Sequence, residues 1–354
     1  MILLDKYSIK TKLLFVIISV SIISSVFILL FISNKYQEYT RFNDIVKLTE
    51  VSVMNAELIH ELQIERGMSA GFLNSKGNKF TTELNNQRLK SNLKFENFKE
   101  SISNHFSNED DYFKMMEQSL KELNHLNSIR NDVDGFSISA IQQIKKYTDI
   151  LKSLLDLLNE IKDLSSEFPE TRNTSIALYN FAWYKEYMGQ LRATLNSVFV
   201  KNKLDMETYK NFTQRYYASN IFLNTFKDYS EIQLTNKLIE YESMDNFIFV
   251  KNAFDLSLNS PNSDSLNINA TEWFSNITGH IDNLRQIEMT ISDDIILSAD
   301  KESKSLFYNL IVIIAITIAI LIFIYIIAFK IISNLIRNIT NAYKRALDIS
   351  EGII

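Results

Sequence analysis

The residues of this chain that could do chemistry gather in two short helical motifs. In the first, Leu62-Gln63-Ile64-Glu65-Arg66-Gly67-Met68-Ser69-Ala70-Gly71-Phe72-Leu73, an arginine and a serine three residues apart adjoin two glycines four apart. The chain holds only 7 glycines in 354 residues, and each one inside a helix costs on the order of 1 kcal/mol relative to alanine. Gly67 and Gly71 therefore read as a helix face kept bare for close approach. Arg66 and Ser69 set a guanidinium fork and a hydroxyl beside that face, a donor set suited to a small oxyanion. The second motif, Glu186-Tyr187-Met188-Gly189-Gln190-Leu191-Arg192-Ala193-Thr194-Leu195-Asn196, repeats the theme, with Gly189 three before Arg192 and Asn196 four after it. All three share one face. If the two helices meet, two guanidinium forks with Ser69 and Asn196 would orient a planar anion through charge-assisted bidentate hydrogen bonds. The plainer reading is that each arginine pairs with a nearby carboxylate, Glu65 or Glu186, in a structural ion pair. Periodicity alone does not choose between them.

The elements that must position these motifs are helices. Proline occurs only at 169 and 261, and strand-like alternation bounded by turn dipeptides is lacking, so an all-α fold is expected. Breaks fall at 75–78, 107–108, 132–136, 164–169, 202–205, around Ser230, and at 257–269, which leaves eight long helices. Asn108, Asp205 and Asn269 read as N-caps ahead of acidic first turns. Apolar residues recur every three to four positions, as in Ile141, Ile144, Ile150, Leu151, Leu154, Leu157, Leu158 and Ile161. Amphipathic helices of this kind joined by short turns pack as antiparallel bundles, and the number present predicts two four-helix bundles. The 24 Phe and 16 Tyr read as core and interface filler rather than a cofactor box.

Two uncharged apolar runs, 13–33 and 310–329, have the length of roughly 20 residues that a helix needs to cross a membrane. The first lacks a small-residue cleavage pattern and reads as a retained anchor. Lys6, Lys10 and Lys12 precede it, while Lys330, Arg337, Lys344 and Arg345 follow the second run. By the positive-inside rule this puts residues 1–12 and 330–354 in the cytoplasm and 34–309 outside. The expected setting is thus a two-pass protein of a bacterial inner membrane, in contact with lipid.

Several function classes lose their parts. There is no cysteine, hence no disulfide, thiolate metal site or cysteine nucleophile. The net charge of −5 gives no basic footprint for nucleic acid. His60, His105, His125 and His280 show no metal-ligand spacing, and no glycine-rich phosphate loop follows a strand. No catalytic constellation, metal site or cofactor is expected. The triplets Asn211-Phe212-Thr213 and Asn276-Ile277-Thr278 are expected by chance in an asparagine-rich chain.

The first motif resembles the signature of the nitrate- and nitrite-sensing (NIT) domain of bacterial chemoreceptors, histidine kinases, cyclic-nucleotide signalling proteins and antitermination regulators. Gly189 to Asn196 is similar to that family's downstream arginine block. The resemblance covers about residues 50–290, with the first motif its specific part. It implies a double four-helix bundle that binds nitrate or nitrite, with Arg66 and Arg192 carried over directly and a third arginine at Arg285 or Arg215. Beyond the second apolar run, Ile332, Leu335, Ile339, Ala342, Ala346, Ile349 and Ile353 keep the a and d positions of a heptad. Closed by Glu351-Gly352, this run resembles the first helix of a HAMP signal-relay domain, although Asn334 stands where that family usually carries proline. The seam suits pairing with a second copy. The chain reads as the input half of a chemoreceptor (a methyl-accepting chemotaxis protein) or sensor kinase, or as a truncated product, with its signalling output supplied in cis or in trans. A receptor of the same architecture for another small anion or an amino acid, and a membrane-anchored interaction module without ligand, are the alternatives.

Overall fold

The computed structural model describes residues 9 to 351. The Lys6 flank and the closing heptad residues Gly352 and Ile353 lie outside the described residues. Ten helices follow in order: α1 (Ile9–Asn74), α2 (Thr81–His105), α3 (Asp111–Leu123), α4 (Leu126–Asp134), α5 (Ala140–Ser165), α6 (Pro169–Lys201), α7 (Met206–Tyr229), α8 (Ile232–Glu242), α9 (Asp245–Leu258) and α10 (Ala270–Ser350). The fold is all-α, and one antiparallel bridge between Leu204 and Ser263 is the extent of β pairing among the described residues.

The expected breaks are all present, and two further ones raise the helices from eight to ten. Between α3 and α4 the backbone stays near helical values at Asn124 (φ −63°, ψ −21°). The Asn124 N–H is shared between the Leu120 and Lys121 carbonyls, each at 3.2 Å, which is a local overwinding that needs no glycine or proline. Between α8 and α9 Met244 turns extended (ψ 150°), and the Ser243 hydroxyl donates back to the Glu240 carbonyl at 2.6 Å. Serine competing for backbone groups in this way stops a helix without a proline or glycine to announce it.

Two of the three expected caps form. Asp205 Oδ1 accepts the Thr208 N–H at 2.8 Å, and Asn269 Oδ1 accepts those of Thr271 and Glu272 at 2.9 and 3.1 Å. The third is corrected: Asp110, not Asn108, holds the N-cap position of α3, and its side chain makes no cap hydrogen bond. The Asp110 carboxylate accepts the Ser107 N–H at 2.6 Å, so it ties the preceding turn and delays the helix to Asp111. Between α1 and α2, Lys76, Gly77 and Phe80 adopt positive φ. At Phe80 that conformation lays the ring against Gly71, where an added β-carbon would come within 2.5 Å of it.

Two apolar cores result. Leu48, Leu58 and Leu62 of α1 pack with Phe98 of α2, Met116 of α3, Ile129 of α4 and Leu151, Leu154 and Leu158 of α5. Phe181, Leu191 and Leu195 of α6 pack with Phe212 and Phe226 of α7, Leu238 of α8, Phe254 of α9 and Trp273, Leu284 and Ile287 of α10. Each core is lined by four helical runs, of which the third is a broken pair, α3–α4 or α8–α9. Much of the aromatic content is core filler, as Phe181 and Phe226 illustrate with ring centroids 4.6 Å apart. Where the two cores adjoin, small residues let α1 and α6 approach: Ala56 of α1 joins the second core and Ala182 of α6 joins the first. The two helices run parallel there. Gln63 bonds Glu186 across a separation of 123 residues, and the same separation relates Arg66 to Gly189, its neighbour in space.

These bundles form one compact unit, Asp44–Lys301, and the described residues up to and including Asn43 and from Glu302 onward form another. In that second unit α1 and α10 lie side by side, with Tyr39 and Phe307 ring centroids 5.5 Å apart. Both helices carry segments long and apolar enough to cross a membrane. Their large side chains face outward, Phe27 at 68% and Phe323 at 63% exposure. The heptad residues Leu335, Ile339 and Ile349 are likewise exposed on the single chain.

Candidate functional site

The two sequence motifs meet, and they do so by exchange. A β-carbon added at Gly189 would sit 3.4 Å from Arg66 Nη2, and one added at Gly67 would sit 3.4 Å from Arg192 Nη2. Each glycine is therefore the seat of the other helix's guanidinium, because a bare α-carbon lets the planar group lie against the backbone. Gly71 has a different neighbour, the Phe80 ring.

The two arginines differ in what surrounds them. Arg66 is buried and forms a bidentate pair with Glu186, Nη1 to Oε1 at 2.7 Å and Nη2 to Oε2 at 3.1 Å. Its Nη1 also donates to Thr148 Oγ1 at 3.0 Å. Glu186 is nearly fully buried and accepts two amides as well, from Gln63 at 2.9 Å and Gln190 at 2.8 Å. For Arg66 the structural ion pair is thus real. Arg192 has no carboxylate within ion-pair distance among the described residues. Its Nη1 donates to Thr278 Oγ1 at 3.1 Å, and its guanidinium lies 5.2 Å from the centroid of Phe274. The Trp273 indole N–H donates to the Arg192 carbonyl at 3.2 Å, which holds this turn of α6 against α10. Part of the Arg192 side chain reaches solvent, yet burial of its charge, and then the charge of Arg66, push its pKa down to about 10. A cation held in this state gains from any anion that arrives.

The other predicted residues divide. Arg215 of α7 donates to Thr194 Oγ1 at 2.8 Å. Burial lowers its pKa, the Glu186 charge opposes that, and the Arg66 charge adds to it, so it belongs electrostatically to the same group. Arg285 does not; it donates to Glu288 at 2.7 Å in a separate network with the buried Lys185, which pairs with the same carboxylate. Ser69 is fully buried beside Tyr147, on the Glu65 side of α1 rather than with Arg192, and its hydroxyl makes no close hydrogen bond among the described residues. Asn196 is half-buried and makes no side-chain hydrogen bond among the described residues.

Glu65, the neighbour of Arg66, faces the opposite way into the first bundle. Arg130 of α4 grips its two oxygens at 2.7 and 2.8 Å, and the Tyr147 hydroxyl donates at 2.7 Å. Burial alone would raise the Glu65 pKa; the hydrogen bonds and charge of Arg130 outweigh it and hold the carboxyl below its ordinary value. Further along α1, burial pushes His60 down to about 2, aided by the charges of Lys185, Arg285 and Lys90. On α10, burial pushes His280 down to about 3.

Sequence reasoning missed Thr148, Thr278, Gln63 and Gln190. Thr278 was in view within the dismissed Asn276-Ile277-Thr278 triplet, but nothing local marks a threonine on a third helix as an arginine's partner. Gln63 and Gln190 carry a weak signal, since each lies one helical turn from an ion-pair member, Arg66 or Glu186.

What the arrangement can do is hold a small, planar anion beside two guanidinium groups, one engaged and one without a counter-ion. The comparisons bear on which anion. The family model described as nitrate and nitrite sensing matches residues 57–296. No curated protein sequence matches. Among solved structures, the chain is similar to one described as the structure of the NasR transcription antiterminator, with a TM-score of 0.68 and 18% identity, covering 88% of this chain and 86% of that chain. That likeness shows the fold, while the family match spans well over half of the sequence and both arginine motifs. The chain belongs to the nitrate and nitrite sensing family.

Proposed function

We propose that this protein is a two-pass membrane sensor that binds nitrate or nitrite between α1 and α6 and relays a helix displacement along α10. It acts by binding rather than by catalysis. The observation that carries the reading is the crossed seating of Arg66 and Arg192 on Gly189 and Gly67, with Arg192 left without a carboxylate. Two forks facing one locus suit a trigonal or bent oxyanion, and Thr148 and Thr278, which already bond the two arginines, add neutral groups. Arg215 is a third cation beside the site, coupled to it through the charge of Glu186.

The exposed apolar segments of α1 and α10 support two spans in an inner membrane, and the flanking cations support an extracytoplasmic sensor with cytoplasmic ends. The heptad after Lys330 supports a HAMP-like relay helix paired with a second copy, so the working unit is a homodimer driving a chemotaxis or kinase output. A ligand shifts such a receptor only through its different affinity for two states. An anion bridging α1 and α6 therefore favours one placement of those helices, and shifts of about 1–2 Å are typical of such transitions.

The test uses the full chain in lipid nanodiscs. Nitrate or nitrite is expected to raise its melting temperature, the stabilisation reaching about 2.7 kcal/mol at a hundredfold excess over Kd. Arg66→Lys is expected to abolish most of that shift despite keeping the charge, since an ammonium offers no fork. Silence of the wild-type chain at millimolar nitrate and nitrite would overturn the reading, and a response to amino acids alone would reassign the ligand.

A further inference from the structure

Glu186 sits where an anion would. Its carboxylate lies in the Arg66 fork with one oxygen on each Nη, and amides from both helices complete the shell, Gln63 of α1 on Oε2 and Gln190 of α6 on Oε1. Four donors thus converge on one planar edge made of two oxygens. Nitrate and nitrite present the same edge, O–N–O in place of O–C–O. The Arg66 half of the site is filled by the protein itself.

The surrounding charges make this occupancy exchangeable. Glu65, the other buried acid of the motif, is gripped by Arg130 and Tyr147 and faces no unpaired cation. Glu186 instead has two more arginines within its field, Arg192 and Arg215. Arg192 pairs with no carboxylate, and Arg215 is satisfied at its head by the Thr194 hydroxyl alone among the described residues. Three cations face two carboxylates, Glu186 and the more distant Asp282 whose charge reaches Arg192, and the balance leaves room for one further negative charge. They also offer Glu186 a second partner on α7.

Building on the nitrate reading above, we propose that Glu186 is an internal stand-in for the ligand: it occupies the Arg66 fork in the empty site and yields it to the incoming anion, moving to Arg215. A tethered carboxylate competes at high effective concentration, so Glu186 sets the threshold of the sensor. It also makes the response an exchange, in which the α1–α6 ion pair is replaced by an anion bridging Arg66 and Arg192 while α6 gains a link to α7. Glu186 is in this sense a residue that tunes affinity and transmits occupancy, and it need not touch the bound anion.

Isothermal titration of the full chain in nanodiscs, with sodium nitrate and sodium nitrite at constant ionic strength, separates the outcomes. Glu186→Gln keeps the shape and removes the charge; it is expected to lower Kd at least tenfold and to melt lower than wild type without anion, recovering when nitrate is added. Unchanged or weaker binding would mean that Glu186 only positions Arg66, and would overturn the proposal while leaving the nitrate reading intact. Should Glu186→Gln fail to fold, Glu186→Asp retains the charge but withdraws it by one methylene, and it too must bind more tightly than wild type. Arg215→Met is expected to weaken binding in the wild-type background and to have no effect in the Glu186→Gln background; an equal loss in both would make Arg215 a direct ligand and overturn the transfer. Silence of both, for nitrate and nitrite alike, removes the functional reading and this proposal together.

Discussion

The interior of the first bundle and the layer between the two cores both bury arginine, and they treat it differently. Inside the first bundle Arg130 closes on Glu65 with two good hydrogen bonds, and Tyr147 completes the carboxylate. Between the cores Arg66 shares its carboxylate with a layer that also holds Arg192 and Arg215. A closed pair needs nothing from outside and ties α1 to α4 and α5. An open cluster carries a standing electrostatic cost that a ligand relieves. Adjacent residues of one helix, Glu65 and Arg66, thus face a closed pair on one side and, in the function proposed above, a recognition site on the other.

The sharpest way to break this contrast is to neutralise one member of each cluster. Glu65→Gln strands the Arg130 charge and is expected to destabilise the chain by about 3–5 kcal/mol, the usual result of halving a buried ion pair. Arg192→Met should be neutral or mildly stabilising without anion, because it removes a buried cation that no carboxylate contacts among the described residues, and it should abolish stabilisation by nitrate. Denaturant midpoints with and without nitrate give both quantities. Equal destabilisation by the two substitutions would erase the distinction. Because the folded-state pKa of Glu65 is depressed, its contribution is full above the ordinary carboxylate value and fades as pH falls, so the gap between wild type and Glu65→Gln should narrow below about pH 4.

Acid sharpens the comparison at milder pH through the second bundle. His280 is fully buried and stays neutral in the fold down to about 3. Its lowered pKa gives stability that is complete above the unfolded value near 6.5 and is lost as pH falls towards 3. Between pH 6 and 4 the wild type should lose on the order of 1 kcal/mol per pH unit from this residue. His280→Leu should remove about half of the wild-type slope, His60 supplying the rest, and an unaltered slope would assign the acid sensitivity elsewhere.

The smallest effects concern the glycines. Gly67→Ala places a methyl in ordinary contact with Arg192 and gains helix propensity, so stability should hold or rise by up to about 1 kcal/mol. Gly71→Ala meets the Phe80 ring at 2.5 Å, and Phe80 is fixed in a left-handed conformation, so this variant should be the less stable of the two. The reverse order would mean that the guanidinium seat is less tolerant than the ring contact.

Much of this was legible in the sequence because helix periodicity is strong and turn residues are scarce. Spacing alone put Gly67 and Gly189 beside the arginines, and Asp205 and Asn269 at helix starts. What escaped was set by neighbours distant in the chain. The kink at Asn124 and the break at Met244 come from serine and backbone competition rather than from proline or glycine. The choice of Glu186 for Arg66, and of Arg130 for Glu65, depends on which helices lie across from α1. Periodicity assigns a side chain to a face, and only the packed structure says what that face meets.

The crossed seating of the two arginines also acts as a gauge of alignment. Each helix supplies both a key and a notch to its neighbour, so the register between α1 and α6 is read at two places at once. A slip of one residue along either axis, about 1.5 Å, would lift Arg66 from Gly189 and Arg192 from Gly67 in the same movement. Intermediate offsets satisfy neither seat. Sliding between these two helices is thereby opposed at two points at once, and in the function proposed above an anion bridging Arg66 and Arg192 would act on that single alignment.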